Sequence, residues 1–157
     1  VHSPAPKCHA KKCGRRQRCT NLKPEIQRTL ALAGRILLAF IFLKSGYGKI
    51  TGWEQTAEHM AGAGMPLVPF FLLGAIVLEI VGGILLITGF GARFGAAALV
   101  LFLIPTTFIF HAFWAVPPDQ VMAQQMAFIK NLAILGGLLN VLALGAGPAI
   151  STGSTSV

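Results

Sequence analysis

The stretch that decides the fold is residues 66–93, which read PLVPFFLLGAIVLEIVGGILLITGFGAR. It is apolar for long enough to cross a bilayer, because about 20 helical residues at roughly 1.5 Å rise match a hydrocarbon core of about 30 Å. Glu79 lies near its middle, with Gly82 and Gly83 one turn further on. A carboxyl group at that depth is costly when it faces lipid, and small residues allow close helix packing. We therefore expect Glu79 to face other helices of a bundle.

The composition of the whole chain supplies such a bundle. Hydrophobic residues make up 54% and charged residues 11% of the 157 residues, and the mean hydropathy is +0.69. These values are typical of a polytopic membrane protein and exclude a soluble domain with a single core. We predict an all-α integral membrane four-helix bundle in the cell membrane, with both termini cytoplasmic. The expected spans are about 30–50, 66–89, 93–116 and 121–146, followed by a flexible tail over 147–157.

The positive charge is concentrated before the first span. Residues 1–35 hold nine Lys and Arg against Glu25, whereas residues 36–157 hold four basic and four acidic side chains. A basic flank keeps an N-terminus in the cytoplasm and also attracts anionic lipid headgroups. Because no aromatic or fold signal accompanies these charges, we expect no nucleic-acid partner. We predict that residues 1–29 form a disordered cytoplasmic tail.

All three cysteines, Cys8, Cys13 and Cys19, lie in this tail. Their spacing does not form two CxxC pairs, so a zinc or iron–sulfur site that includes His9 is a weaker interpretation than reduced, inert thiols. A thiol–disulfide membrane enzyme is excluded, since it needs cysteines at the membrane site. We predict no metal site and assign no catalytic residue.

Several polar residues of the spans fall at similar depth. Alternating span directions put Lys44 and Lys130 slightly outside the level of Glu79. In a structural interpretation, Glu79 pairs with Lys130, while Asn131 and Tyr47 satisfy the remaining hydrogen bonds. This buried polar network, of Glu79, Lys130, Asn131, Lys44 and Tyr47, would fix which helices are neighbours.

A functional interpretation stays open beside the structural one. His111 lies further out, and we expect a polar pocket that opens to the outer leaflet. There His111, Lys130 or Lys49 would hydrogen-bond a quinone-like head group or relay protons. His59, in the expected outside loop 51–65, is interpreted as a solvated histidine. Arg35 and Lys49 are expected to extend to the headgroups at opposite ends of the first span.

The intramembrane lysines outnumber the acids. Lys44, Lys49 and Lys130 have only Glu79 as an intramembrane carboxylate. At least one lysine must therefore extend to the headgroups, lose its charge, or find an acid on a partner chain or lipid. This surplus indicates a partner.

The sequence resembles the DoxX family of membrane proteins over about residues 30–148. The resemblance depends on residues that occur in one order along four spans. They are Arg35, Ser45-Gly46, Gly48-Lys49, Glu79, Gly82-Gly83, Gly89, Arg93, His111, Phe113-Trp114, Lys130-Asn131 and Gly136-Gly137.

The resemblance implies a four-helix membrane bundle with both termini in the cytoplasm and an association with quinone-linked oxidoreductase systems. Lys49, Glu79, His111, Lys130 and Asn131 would occupy the family's polar positions. Lys44 departs from the pattern, because an apolar residue is expected before Ser45. The basic tail lies outside the resemblance.

Three function classes follow. The first is an accessory or structural subunit of a larger electron-transfer complex, with other integral membrane subunits as partners. The second is a quinone-associated oxidoreductase subunit, and the less favoured third is a small transporter or proton pathway built on Glu79, Lys130 and His111. One intramembrane histidine is too few for a bis-histidine haem, and there is no dinucleotide fingerprint. We therefore expect the chain to hold no redox cofactor of its own. The second class adds a bound quinone, and any other cofactor is expected to belong to partner subunits.

Overall fold

The computed structural model describes residues 23–147, and this part of the chain contains helices and no strand. Four of the helices are long and apolar enough to cross a membrane. Predictions about the cysteines, most of the basic tail and the tail after residue 147 lie outside the described residues. The helices are α1 (Pro24–Thr51), α2 (Trp53–Gly62), α3 (Val68–Thr88), α4 (Ala92–Phe110) and α5 (Pro118–Leu144), with a 3₁₀ turn at Phe113–Ala115.

The four long helices pack in the order α1, α3, α4, α5, each against the next. Helices α1 and α5 meet only over a short stretch that includes Leu38 and Gly137. Glycines set the closest approaches, as the sequence predicts for Gly82 and Gly83. A Cβ atom on Gly82 would lie 2.7 Å from the side chain of Leu99, and one on Gly83 would lie 2.9 Å from that of Leu43. Glu79 is only 3% exposed, so its predicted inward orientation is confirmed.

The core consists of two clusters. The larger one lies between the long helices, and the smaller one joins α2 to α3 through Met60, Leu72 and Ile76. Many large apolar side chains face outward instead, which suits a lipid environment and not water. The larger cluster contains Ala39, Phe42, Leu86, Ala96, Leu99, Leu103, Ile134 and Leu138.

Two predicted boundaries are wrong. Helix α1 begins at Pro24, inside the segment predicted to be disordered, because Pro24 suits a first helical position and Glu25 follows it in the first turn. Residues 51–65 are not simply a loop, since Trp53–Gly62 forms α2. The amphipathic pattern of this segment belongs to a helix that packs on the bundle, since Met60 is a core residue.

The third span is shorter as a helix than predicted, since α4 ends at Phe110 and a separate 3₁₀ turn follows. The ends of the described chain lie at the same end of the bundle, because Gly147 lies against Ala31 of α1. We call this the termini end, and the opposite one the α2 end. That the termini end faces the cytoplasm stays a prediction.

Candidate functional site

A buried ion pair lies between α1 and α3. The Nζ atom of Lys49 donates hydrogen bonds to both carboxylate oxygens of Glu79 at 2.8 Å. Ser45 completes the group, since its Oγ donates to Glu79 at 3.0 Å and accepts a hydrogen bond from Lys49 at 2.7 Å. Charge-assisted hydrogen bonds of this kind offset the cost of burying the carboxylate.

The local sequence explains why these three side chains meet. Ser45 and Lys49 are one helical turn apart, so they share a face of α1. Gly46 brings that face close to α3, since a Cβ atom there would lie 3.0 Å from Ile80 and 3.5 Å from the Cβ of Glu79. Helical side chains lean toward the helix N-terminus. Lys49, in the last turn of α1, is therefore directed back along α1, toward the level of Glu79.

The predicted pairing of Glu79 with Lys130 is wrong. Lys130 lies on α5, which packs on α4 and briefly on α1, whereas α3 packs on α1, α4 and α2. Helix α1 packs most extensively on α3, and its Lys49 pairs with Glu79 in place of extending to the headgroups. Lys130 is exposed and has no hydrogen-bond or ion-pair partner within residues 23–147.

In the part of the chain that the structure describes, the other members of the predicted network do not bond to Glu79. Asn131 is buried, but its amide donates to Thr107 Oγ1 at 3.0 Å, and Thr107 in turn donates to the Leu103 carbonyl at 2.7 Å. Lys44 is exposed, and Tyr47 is 67% exposed. Neither of these two side chains bonds to Glu79 in the described structure, so Glu79 and Asn131 belong to separate polar groups.

A cavity of about 900 Å³ nevertheless connects most of the predicted site residues. Its wall is largely apolar and includes Phe40, Phe71 and Phe102. Tyr47 is not part of the wall. The polar and charged side chains that line it are Lys44, Ser45, Lys49, Thr56, His59, Glu79, Thr106, His111, Lys130 and Asn131.

Helix α2 contributes part of the cavity wall. Thr56, His59 and Met60 line the wall, and the ring of His59 stacks on Phe110 with 5.4 Å between centroids. His59 is exposed, as predicted, but it also contacts the end of α4. His111 is held by Gln124, with 2.9 Å between Nδ1 and Oε1.

Ser45, Thr107 and the residues of α2 belong to the site but are not among the site residues predicted from the sequence. The spacing of Ser45 and Lys49 next to Gly46 is the signal that could have identified the partners of Glu79. Lys49 also lies over an aromatic ring, since its Nζ is 6.0 Å from the centroid of Phe102.

The site can bind a molecule that has an apolar body and a polar head. In the described part of the chain, no group of three or more His, Cys, Asp or Glu side chains is arranged to hold a metal ion. The donors around the cavity are ammonium groups, two imidazoles, an amide and hydroxyl groups, which suit carbonyl or acidic oxygen atoms. A cavity of this size is in the range of small-molecule sites.

Comparisons with known proteins agree with the membrane architecture. The chain is 37% identical over 116 residues to the inner membrane protein YqjF of Escherichia coli, covering 74% of this chain and 84% of the relative. It is 31% identical over 118 residues to the E. coli inner membrane protein YphA, covering 75% of this chain and 84% of that protein. No solved structure matches the chain.

More distant relatives are longer than this chain. The chain is 33% identical over 122 residues to a Surfeit locus protein 4 homolog of Schizosaccharomyces pombe, covering 74% of this chain and 34% of that protein. The family profile named DoxX matches residues 30–112. The protein is thus a multi-pass protein of the inner or plasma membrane, and the chain belongs to the DoxX family.

Proposed function

We propose that the protein holds a quinone-like amphiphile in its cavity and serves as an accessory subunit of a membrane electron-transfer complex. The observation that carries this proposal is the cavity itself, a largely apolar space of about 900 Å³. Its charged and titratable lining residues include Lys44, Lys49, Glu79, His111 and Lys130. An amphiphile with a compact polar head and an apolar tail matches this division of chemistry.

The free hydrogen-bond donors of the cavity suit a quinone head. The Lys49 ammonium group is engaged by Glu79 and Ser45, so this pair adds no net charge to the wall. Lys44 and Lys130 have no partner in the chain from 23 to 147 and are free to donate to ring carbonyl oxygens. A bound quinone would supply the electron and proton chemistry, while these side chains would bind and orient its head.

The entrance follows from the helix packing. Helices α1 and α5 meet near Leu38 and Gly137, toward the termini end. Nearer the α2 end, Lys44 of α1 and Lys130 of α5 are both exposed and both line the cavity. A lateral opening between α1 and α5 would let an apolar tail remain in the lipid while the head enters.

A supporting role in a larger assembly has a separate observation in its favour. Gly34, Gly48, Gly74 and Gly136 are exposed on the long helices, with open space where a Cβ atom would lie. Exposed glycines allow close approach of helices from another subunit, because association in lipid depends on close packing. Any electron-carrying cofactor other than the quinone would then belong to that partner.

The test is mild detergent extraction of a tagged full-length chain from its native membrane, followed by native mass analysis of bound subunits and quinones. We expect an assembly with a redox subunit and about one quinone per chain. Lys130→Gln should lose the quinone and keep the assembly, Gly136→Leu should lose the assembly, and Tyr47→Phe should match the wild type. A chain that is recovered alone and empty contradicts both parts of the proposal.

A further inference from the structure

Arg35 is buried without a partner. It is 3% exposed, and Nε and both Nη atoms of its guanidinium group have no hydrogen-bond partner in the structure described for residues 23–147. The sequence predicts that this side chain reaches the headgroups, and its burial shows that this prediction is wrong. A buried guanidinium carries a full charge and five N–H donors, so burying it unpaired is costly. Its partner is therefore an anion or acceptor that the described chain does not provide.

This partner is not an acidic side chain of the same protein. The chain has five Asp and Glu residues in all, and every one lies in the described part. Glu79 is paired with Lys49, and Glu25 is exposed, lies 3.6 Å from Arg28 and is almost three helical turns away from Arg35. The remaining acids lie at the α2 end of the bundle; they are Glu54, Glu58 and Asp119.

A cleft at the termini end provides other anion-binding groups. It has a volume of about 350 Å³ and lies between the α3–α4 turn and the chain after α5. The first residues of α4, from Ala92 to Phe94, line it, and no side chain caps this helix N-terminus. The N–H of Ala92 donates to the Gly89 carbonyl at 3.4 Å, so the N–H groups of Arg93 and Phe94 remain as first-turn donors, which have no partners within the helix and favour anions. Arg93 adds a guanidinium group to the same cleft.

One wall of this cleft touches helix α1 one helical turn before Arg35. Gly147 lines the cleft, and a Cβ atom on it would lie 3.1 Å from the Cβ of Ala31. Ala31 is one helical turn before Arg35, and helical side chains lean toward the N-terminus. We infer that the Arg35 side chain extends toward the level of Gly147.

We propose that this cleft binds a phosphate group, which Arg93 and the N-terminus of α4 contact from one side and Arg35 from the other. Contact with Arg35 requires the segment from Gly145 to Gly147 to move aside. Phosphate has enough oxygen atoms for two guanidinium groups and backbone N–H donors together. The phosphate of an anionic lipid and that of a small soluble compound share this chemistry, and the location at the bundle end favours the lipid.

The test uses the purified full-length chain, stripped of lipid in a neutral detergent. The probes are phosphatidylglycerol, diacylglycerol with the same acyl chains, and glycerol 3-phosphate. The readouts are lipid retained in native mass spectra and the thermal midpoint. We expect the wild type to retain phosphatidylglycerol and not diacylglycerol, and Arg35→Gln and Arg93→Gln to lose about tenfold in affinity. Arg28→Gln, an exposed arginine of the same helix, is the matched control.

Substitute variants and a soluble phosphate probe complete the test. If Arg35→Gln does not fold, the lipid retained by Arg35→Lys and by Arg93→Gln tests the phosphate site. Lysine keeps the charge of Arg35 and loses its bidentate geometry. An Arg35-dependent rise in midpoint with glycerol 3-phosphate alone supports the phosphate site and assigns it to a soluble compound. Equal retention by the Arg93→Gln, Arg28→Gln and folded Arg35 variants, or equal retention of diacylglycerol, overturns the proposal. These outcomes do not depend on the quinone cavity, which lies toward the other end of the bundle.

Discussion

Lys49 and Glu79 form the one ion pair that crosses between two long helices within residues 23–147, with Nζ 2.8 Å from each carboxylate oxygen. The pair joins the end of α1 to the middle of α3 and lies on the wall of the cavity. It therefore connects the stability of the bundle with the electrostatics of the proposed ligand site.

Replacing one member of this pair should destabilise the bundle. Glu79→Gln leaves the Lys49 ammonium group without its acid, and breaking a buried pair costs about 3 kcal/mol or more. The side chain of Lys49 is 21% exposed. Water therefore partly solvates the unpaired ammonium group, and we expect a loss of stability of about 3 kcal/mol and not far above it. The free energy of unfolding in mixed micelles measures it.

A double-mutant cycle tests the partner directly. We expect Glu79→Gln and Lys49→Gln to show a coupling energy of at least about 1 kcal/mol, because each removes the same interaction. The cycle of Glu79→Gln with Lys130→Gln is the control and should be additive. Coupling of Glu79 to Lys130 and not to Lys49 would restore the pairing predicted from the sequence.

Gly82 should tolerate no side chain. A Cβ atom there would lie 2.7 Å from Leu99, so Gly82→Ala should cost about 1–3 kcal/mol through overpacking between α3 and α4. Gly136→Ala is the matched control, because nothing lies within 4 Å of the added atom. Thermal midpoints of the two variants provide the comparison, and equal midpoints would argue against this helix contact.

The Asn131–Thr107 bond should show an asymmetric response to mutation. Thr107→Val leaves the buried Asn131 amide without its acceptor, and an unsatisfied buried group costs about 1–3 kcal/mol. Asn131→Leu removes the amide itself, whereas Thr107 keeps its bond to the Leu103 carbonyl. The stability loss should therefore be larger for Thr107→Val, and a larger loss for Asn131→Leu would indicate that Asn131 has a different role.

The sequence was sufficient to predict the number of spans and the orientation of Glu79. Long apolar stretches predict membrane helices because the bilayer fixes their length, and Gly82 and Gly83 identify the packing face beside the carboxyl group. The same reasoning predicted that polar residues of different spans gather at one depth. The cavity wall now includes most of them.

The partner of Glu79 was not predictable in the same way. Depth along the membrane follows from helix rise, but which helices are neighbours depends on packing between distant segments. The position of Lys49 along α1 predicts that it lies near the membrane surface, whereas its side chain leans toward the helix N-terminus and reaches the level of Glu79. The exposed position of Tyr47 likewise depends on the rotation of α1 about its own axis, which residue depth does not define.

The most direct test of the central claim is equilibrium binding of a short-tailed quinone to the purified full-length chain in micelles. We predict saturable binding near one per chain, and a rise in Kd of at least about tenfold for the double variant Lys44→Gln with Lys130→Gln, because both hydrogen-bonding charges are lost. Lys23→Gln, outside the cavity, should bind as the wild type does. No saturable binding, or an unchanged Kd in the double variant, would contradict a quinone site in this cavity.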